Sequence, residues 1–345
     1  MKVAEFDFDL PGELIAQRPL ERRDASRMLV LDRSKQSFTD TVFLDLPAYL
    51  NAGDCLVLNN TRVFPARLLG RRVGTDSQVE VLLVKEHDSF LWEALVKPGR
   101  AFKIGSKFIL GQDRILAEVV EILANGHRML RLNADTDIRI LLEEVGLQPL
   151  PPYIKRYRKP SPEDRQAYQT IYAKETGSIA APTAGLHFTQ QVLDRIAQKG
   201  VHIVSVTHHV GYATFQPVKV ENVEDHKIGD ESYYISPQAA DLINLTRAHR
   251  RRVVAVGTTS TRALESAADS DGRVRFGHGN TELFIYPGYK FKVIDALFTN
   301  FHLPKSSLLM LVSAFAGKEL VLEAYRHAVR QKYRFYSYGD CMLII

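Results

Sequence analysis

The stretch "VVAVGTTSTRALES", Val253 to Ser266, decides how the rest of the chain is read. Four apolar residues stop at Gly257, four hydroxyl residues follow, and Arg262 opens a helix-forming run. A buried strand that feeds a helix through such a turn implies an α/β sheet. The turn would also aim backbone N–H groups and the positive end of a helix dipole at one spot, which suits an anion. There is no lysine and no second glycine, so neither the P-loop nor the dinucleotide fingerprint is met. A Ser/Thr-rich helix cap with no ligand is the competing reading.

Outward from this stretch the alternation continues. Upstream lie a helix in "SPQAADLINLTRAHR" (236–250), a strand in "VHIVSV" (201–206) and a helix in "TQQVLDRIAQKG" (189–200). The last sets Val192, Leu193, Ile196 and Ala197 on one stripe and ends in glycine. Downstream, "TELFIY" (281–286) and "FKVIDALF" (291–298) read as strands, followed by two C-terminal helices. Near the start, "RMLVLD" (27–32) and "CLVLNN" (55–60) read as strands of the same sheet. Between them and the alternating part, residues 62–133 change texture. Short β-rich runs ("VEVLLV", "FLWEALV", "KFIL", "ILAEVVEIL", "RMLRL") are split by the turn signals "GTDS", "KPGR", "GQD" and "ANG", the pattern of a small barrel or sandwich. A helix from Thr136 closes it, with Gly146 able to supply a left-handed end. "SPED" (161–164) starts another helix, capped by Ser161. The expected architecture is α/β, an α/β/α sandwich-like discontinuous domain (1–61 plus 150–345) with an inserted β-barrel (62–149).

Composition bounds the function. The chain has 345 residues, 45% of them hydrophobic and 25% charged, with a net charge of +5. This is an ordinary globular balance with room for two domains. The longest apolar run, "LLMLVSAFA" (308–316), is far short of the ~20 residues of a membrane span. The acidic start "MKVAEFDFDL" does not resemble a secretion signal. Cys55 and Cys341 lie far apart and show no metal-type spacing. A reducing, cytoplasmic setting is expected, without metal.

Four stretches could carry chemistry. "PPYIKRYRKPSPED" sets Lys155, Arg156, Arg158 and Lys159 beside Tyr153 and Tyr157, charge for phosphates and rings for unpaired bases. The runs "RAHRRR" (247–252) and "RPLERRDASR" (18–27) add basic surface. "SIAAPTAGLHF" (178–188) brings small residues, Gly185 and His187 into a loop that a ligand could approach closely. "THHVGYATFQPV" and "EDHKIGDESY" crowd His208, His209, Asp225, His226, Asp230 and Glu231 together. Adjacent strand histidines point to opposite faces and no ligand spacing appears, so proton transfer is favoured over metal. Finally, Asp295, Asn300 and His302 interrupt apolar strands and need partners or a ligand.

Seven stretches, in order and nearly end to end, resemble the S-adenosylmethionine:tRNA ribosyltransferase-isomerase family of queuosine biosynthesis. They are "LPGELIAQRPLERRDASRMLVLD", "LVLNNTRVFPARL", "IAAPTAGLHFT", "HVGYATFQPV", "VGTTSTRALES", "FIYPGYKFKVIDALFTNFHLPKSSLLMLVSAFAG" and "YRFYSYGDCMLI". Two positions depart from the pattern: "EDHKIGDESY" lacks a second histidine near Gly229, and Asn280 stands where an aromatic is expected. The resemblance implies that S-adenosylmethionine is consumed as a substrate. Its ribosyl carbons pass to 7-aminomethyl-7-deazaguanine at the tRNA wobble position, giving epoxyqueuosine, adenine and methionine. A monomer that needs no cofactor, metal or membrane is expected. An anion clamp for the methionine carboxylate is expected at Gly257, Thr258, Thr259, Ser260 and Thr261 with Arg262, and Gly185 is expected beside the donor. His187, His209 and His226 are the candidate bases, with Asp225, Asp295 and His302 in support. Tyr153, Lys155, Arg156, Tyr157, Arg158 and Lys159 are expected at the RNA. A methyltransferase using the same donor and a noncatalytic tRNA-binding module are the rival readings.

Overall fold

The computed structural model describes residues 1–75, 77–99, 102–155, 162–212 and 218–345. They form two compact units, one of residues 1–62, 169–175 and 181–345, the other of 63–168 and 176–180. The second boundary therefore falls at Tyr168 rather than in the proline-rich stretch near 150, and a short return segment joins the smaller unit.

The larger unit is built on a nine-stranded mixed sheet. Four parallel strands form its centre, in the order His202–His208, Cys55–Asn59, Val253–Val256 and Ala296–Asn300. Cys55–Asn59 and Ala296–Asn300 are buried at every position, as strands covered on both faces must be. On one face Leu56, Leu58, Val254, Val256 and Phe298 pack against Val192 and Ile196 of the helix Gln190–Gln198. Thr189 caps that helix, accepting a hydrogen bond from the Val192 N–H. Beyond the parallel core, Cys341–Ile344 runs antiparallel to Ala296–Asn300, and Arg27–Asp32 runs parallel to it. On the other flank lie Glu231–Ile235 and the edge strand Gly277–Thr281.

Two sequence expectations fail here. "TELFIY" and the first half of "FKVIDALF" are not strands; only Gly277–Thr281 and Ala296–Asn300 pair. The intervening segment instead wraps the Glu265 carboxylate, which accepts the backbone N–H groups of Lys292, Val293 and Ile294. A buried carboxylate thus satisfies backbone that a sheet would otherwise satisfy.

The smaller unit is a closed six-stranded antiparallel barrel. Its strands include Arg67–Arg72, which the sequence reading passed over because its alternation is broken by Gly70 and three arginines. The helix Ile138–Val145 follows, capped by Asp137. Gly146 ends it in an extended conformation (φ −73°), not a left-handed one. Glycine is required there for space: a Cβ would sit 2.2 Å from the Pro65 carbonyl oxygen. Ser161, the expected cap of the helix Pro162–Ala167, lies outside the described residues.

Candidate active site

Strand direction gathers the functional side chains. The four parallel strands all end on one edge of the sheet, at His208, Asn59, Val256 and Asn300. The oppositely directed strands begin there, so Ser26 and Asp340 join the same edge. Ligands of α/β sheets bind in crevices outside such carboxyl ends.

At the centre of this edge Val253–Val256 passes directly into the helix Gly257–Ala267, with no intervening loop. No side chain caps the helix. Ser260 and Thr261 are fully buried, and their hydroxyls donate back to the carbonyls of Val256 and Gly257. They are spent on the helix itself and cannot meet a ligand, which corrects the expectation for these two. Thr258, Thr259 and Arg262 do line a cleft. This open cleft is bounded on its other sides by His226, Phe284 and the start of the helix Ser307–Ala316. The rings of His226 and Phe284 meet edge to face at 5.1 Å.

Behind the first turn lies a buried polar network. Arg262 donates from Nη1 to the Glu231 carboxylate and from Nε to the Leu283 carbonyl, 2.9 Å away. His208 lies 3.0 Å from Glu231 through Nε2 and 2.9 Å from the Thr259 carbonyl through Nδ1. The Gly211 N–H also reaches Glu231, at 2.8 Å. Burial alone would raise the Glu231 carboxyl, but the His208 hydrogen bond and the charges of Arg262 and His208 outweigh it, holding it at about 2. Asn59 ties the network together, donating to the His208 carbonyl and to Thr259 Oγ1 and accepting from the His208 N–H. Arg262 is therefore held by Glu231 rather than left free as a clamp, and its part in any anion site is indirect.

The candidate bases separate by environment. His187 is buried between Phe43 and Phe298, with Nδ1 at 2.9 Å from Ser26 Oγ and Nε2 at 3.2 Å from Asn300 Nδ2. Burial pushes its imidazole down to about 3. His302 is likewise pushed to about 3 by burial, and its Nε2 pairs with Thr299 Oγ1. Both histidines are buried in the core with side-chain partners on their ring nitrogens. Asp295 sits at the opposite edge of the sheet, where its carboxylate accepts the N–H of Val253 at the start of that strand. It cannot support chemistry at the strand's far end. Asp225 is exposed and bonded to Asn222. His226 lines the cleft, half-buried, and burial lowers its imidazole. His209 is lowered by burial and by the neighbouring His208 charge, against an opposing pull from Glu175; its Nδ1 is 2.7 Å from Thr61 Oγ1.

Gly185 packs where any side chain would collide: a Cβ would lie 2.1 Å from the Tyr172 hydroxyl. Its smallness serves that contact. Tyr153 and Lys155 belong to the barrel unit, and Arg156, Tyr157, Arg158 and Lys159 lie outside the described residues. Asn59 and Phe284 were not singled out from sequence, whereas Glu231 stands in the His-rich cluster read there. The one signal of Asn59 and Phe284 is a polar or aromatic residue at the end of an apolar run, which gains meaning only once the strands are aligned. Among the described residues no group of three or more His, Cys, Asp and Glu is placed to hold a metal, and no helix is long and apolar enough to cross a membrane.

Known proteins match this chain along its whole length. The family model described as "Queuosine biosynthesis protein" covers residues 3–344. Proteins named S-adenosylmethionine:tRNA ribosyltransferase-isomerase from Clostridium kluyveri and Symbiobacterium thermophilum are 52% and 53% identical to it, each over 100% of both chains. The crystal structure of S-adenosylmethionine tRNA ribosyltransferase from Thermotoga maritima is similar at 38% identity, covering 99% of this chain and 100% of that one, with a TM-score of 0.57. Motifs spread from Leu10 to Ile344, a barrel unit and an α/β-sheet unit in one chain, and these full-length matches agree, and the chain belongs to the queuosine biosynthesis protein family.

Proposed function

We propose that this protein transfers and isomerises the ribosyl moiety of S-adenosylmethionine onto 7-aminomethyl-7-deazaguanine in the anticodon of tRNA, in the cytoplasm. Full-length relatives at half identity carry the name of this activity, and the cleft at the carboxyl edge is the observation that supports it in the structure. The donor is a sulfonium with a carboxylate at one end. The cleft offers an uncapped helix N-terminus to the carboxylate and an aromatic face, Phe284, to the cation. The positive sulfur acidifies the neighbouring C–H. A base must take that proton, and His226 and His209 are the two histidines of the candidate set not locked into the core. The amine of the modified base then bonds to the ribosyl carbons while adenine and methionine leave. The segment Tyr153–Lys159 is assigned to the RNA on its charge and rings.

Incubation with S-adenosylmethionine and an anticodon stem-loop bearing the aminomethyl-deazaguanine should release adenine and methionine together. A methylated RNA, or S-adenosylhomocysteine as product, would overturn the reading in favour of a methyltransferase. Binding of both substrates with no turnover would favour a noncatalytic module.

A further inference from the structure

The buried network behind the first turn of Gly257–Ala267 does not balance its charge. Both ring nitrogens of His208 face groups that can only accept, the Thr259 carbonyl and the Glu231 carboxylate, so both carry protons and the ring is a cation. Arg262 is a second cation, and Glu231 answers the two with one negative charge. His208, Glu231 and Arg262 are each at least nine-tenths buried, so water screens the remaining positive charge poorly. The cleft wall in front of it is the uncapped first turn, whose N–H groups add the positive end of the helix dipole. Thr258 lies in that wall at 7% exposure, and its hydroxyl has no partner among the described residues. A hydroxyl that reaches the cleft from a nine-tenths buried threonine, at a helix start backed by positive charge, is arranged for an anion.

We infer that this wall is an anion subsite taking the α-carboxylate of S-adenosylmethionine, held by the first-turn N–H groups and the Thr258 hydroxyl, with the His208–Glu231–Arg262 cluster as its counter-charge. The inference rests on the proposed donor and says which end of it lies here. The apolar neighbours Ile285, Leu308 and Leu311 suit the methylene chain, and Phe284 the sulfonium beyond it. Arg262 and His208 act through Glu231 and the helix as positioning residues.

Calorimetry with S-adenosylmethionine and with its decarboxylated analogue tests this on the intact protein. The wild type should bind the parent roughly tenfold or more tightly than the analogue, the value of a hydrogen bond to a charged group. Thr258→Val should erase most of that difference by weakening the parent alone, and Thr258→Ser should restore it. Equal affinity of the wild type for the two ligands overturns the subsite while leaving the donor intact, and needs no variant to fold. Failure of both ligands to bind overturns the donor reading itself. A Thr258→Val loss that falls on the RNA rather than on S-adenosylmethionine also overturns the inference, since the wall would then hold a phosphate.

Discussion

Asn300 donates from Nδ2 to His187 Nε2 at 3.2 Å, and that bond fixes what the histidine is for. The same amide nitrogen lies 3.1 Å from the Tyr336 carbonyl, which can only accept, so the amide orientation is determined. Nε2 is then the acceptor, and Nδ1 carries the proton toward Ser26. Buried, with both nitrogens held by side chains, the ring is placed for packing and hydrogen bonding in the core. His187→Phe should remove one hydrogen bond each from Ser26 and Asn300, which keep the Arg23 and Tyr336 carbonyls as partners, at about 0.5–1.5 kcal/mol per bond. The pH–rate profile of the folded fraction should keep its limbs. Denaturant titration and kcat against pH check the two halves, and a vanished acid limb would restore His187 to the chemistry.

Acid should weaken the fold through two histidines at once. His187 and His302 are both lowered by burial from 6.5 to about 3, so they protonate in the unfolded chain before the folded one. Their stabilising contribution is complete above pH 6.5 and is lost as pH falls toward 3. Each adds a slope of up to about 1.4 kcal/mol per pH unit in that window. Glu231, lowered from 4.5 to about 2, adds its own loss only below pH 4.5. Stability measured between pH 5 and 4 should therefore fall with nearly one proton more in the wild type than in His302→Gln.

Glu231→Gln removes the one negative charge from a site that keeps two buried cations. Breaking a buried pair from one side costs about 3–5 kcal/mol, because the other charge stays desolvated. The loss should be large in urea and only partly recovered in Arg262→Met with Glu231→Gln, where His208 is still held to Thr259. A change below 1 kcal/mol would show that water reaches the network.

Much of this was legible in the sequence, and the reasons differ by part. The alternation around "VVAVGTTSTRALES" and the barrel's short strands rest on local periodicity, so both architectures are visible from local patterns. The segment 282–295 misleads because it is apolar, yet the N–H groups of Lys292, Val293 and Ile294 donate to Glu265, a residue outside any local window. At the site, the hydroxyls of "GTTST" look equivalent in sequence. A helix beginning at Gly257 turns Ser260 and Thr261 inward and leaves Thr258 and Thr259 at the cleft. Asp295 and His187 were attractive as polar residues among apolar ones. Which edge of the sheet each occupies, and what fills its bonds, follows from pairing between distant segments. Arg262 illustrates the same limit, since its partner Glu231 comes from another strand.

Gly185 offers a test of packing in the loop that the sequence marked for a ligand. Gly185→Ala would place a Cβ 2.1 Å from the Tyr172 hydroxyl and 2.7 Å from Thr170 Cγ2. Overpacking of this kind costs about 1–3 kcal/mol. The Tyr172 hydroxyl is buried with no partner, so Tyr172→Phe should by itself be neutral or slightly stabilising. It should also recover a good part of the Gly185→Ala loss. Additive effects in the double variant would mean that the Thr170 contact, not the hydroxyl, sets the requirement.

The remaining pair of histidines divides the base from its neighbour. His226 lines the cleft beside Phe284, while His209 has one nitrogen against Thr61 and stands beside the cationic His208. Burial lowers both, so each is neutral and able to accept a proton near pH 7. The difference is place. A base must reach the carbon next to the sulfonium, which on the proposed reading faces the Phe284 ring. His226 is the closer of the two by shared lining, so His226→Gln should lower kcat by about 10²–10⁴ with the S-adenosylmethionine KM little changed, and should remove the acid limb of the pH–rate profile. His209→Gln should act mainly on Thr61 and the strand end, with a smaller fall in kcat and the limb retained. Rates measured from pH 5 to 8 for the two variants and the wild type decide between them. Loss of the limb in His209→Gln alone would move the base to the strand edge and leave His226 as a ring that packs on Phe284.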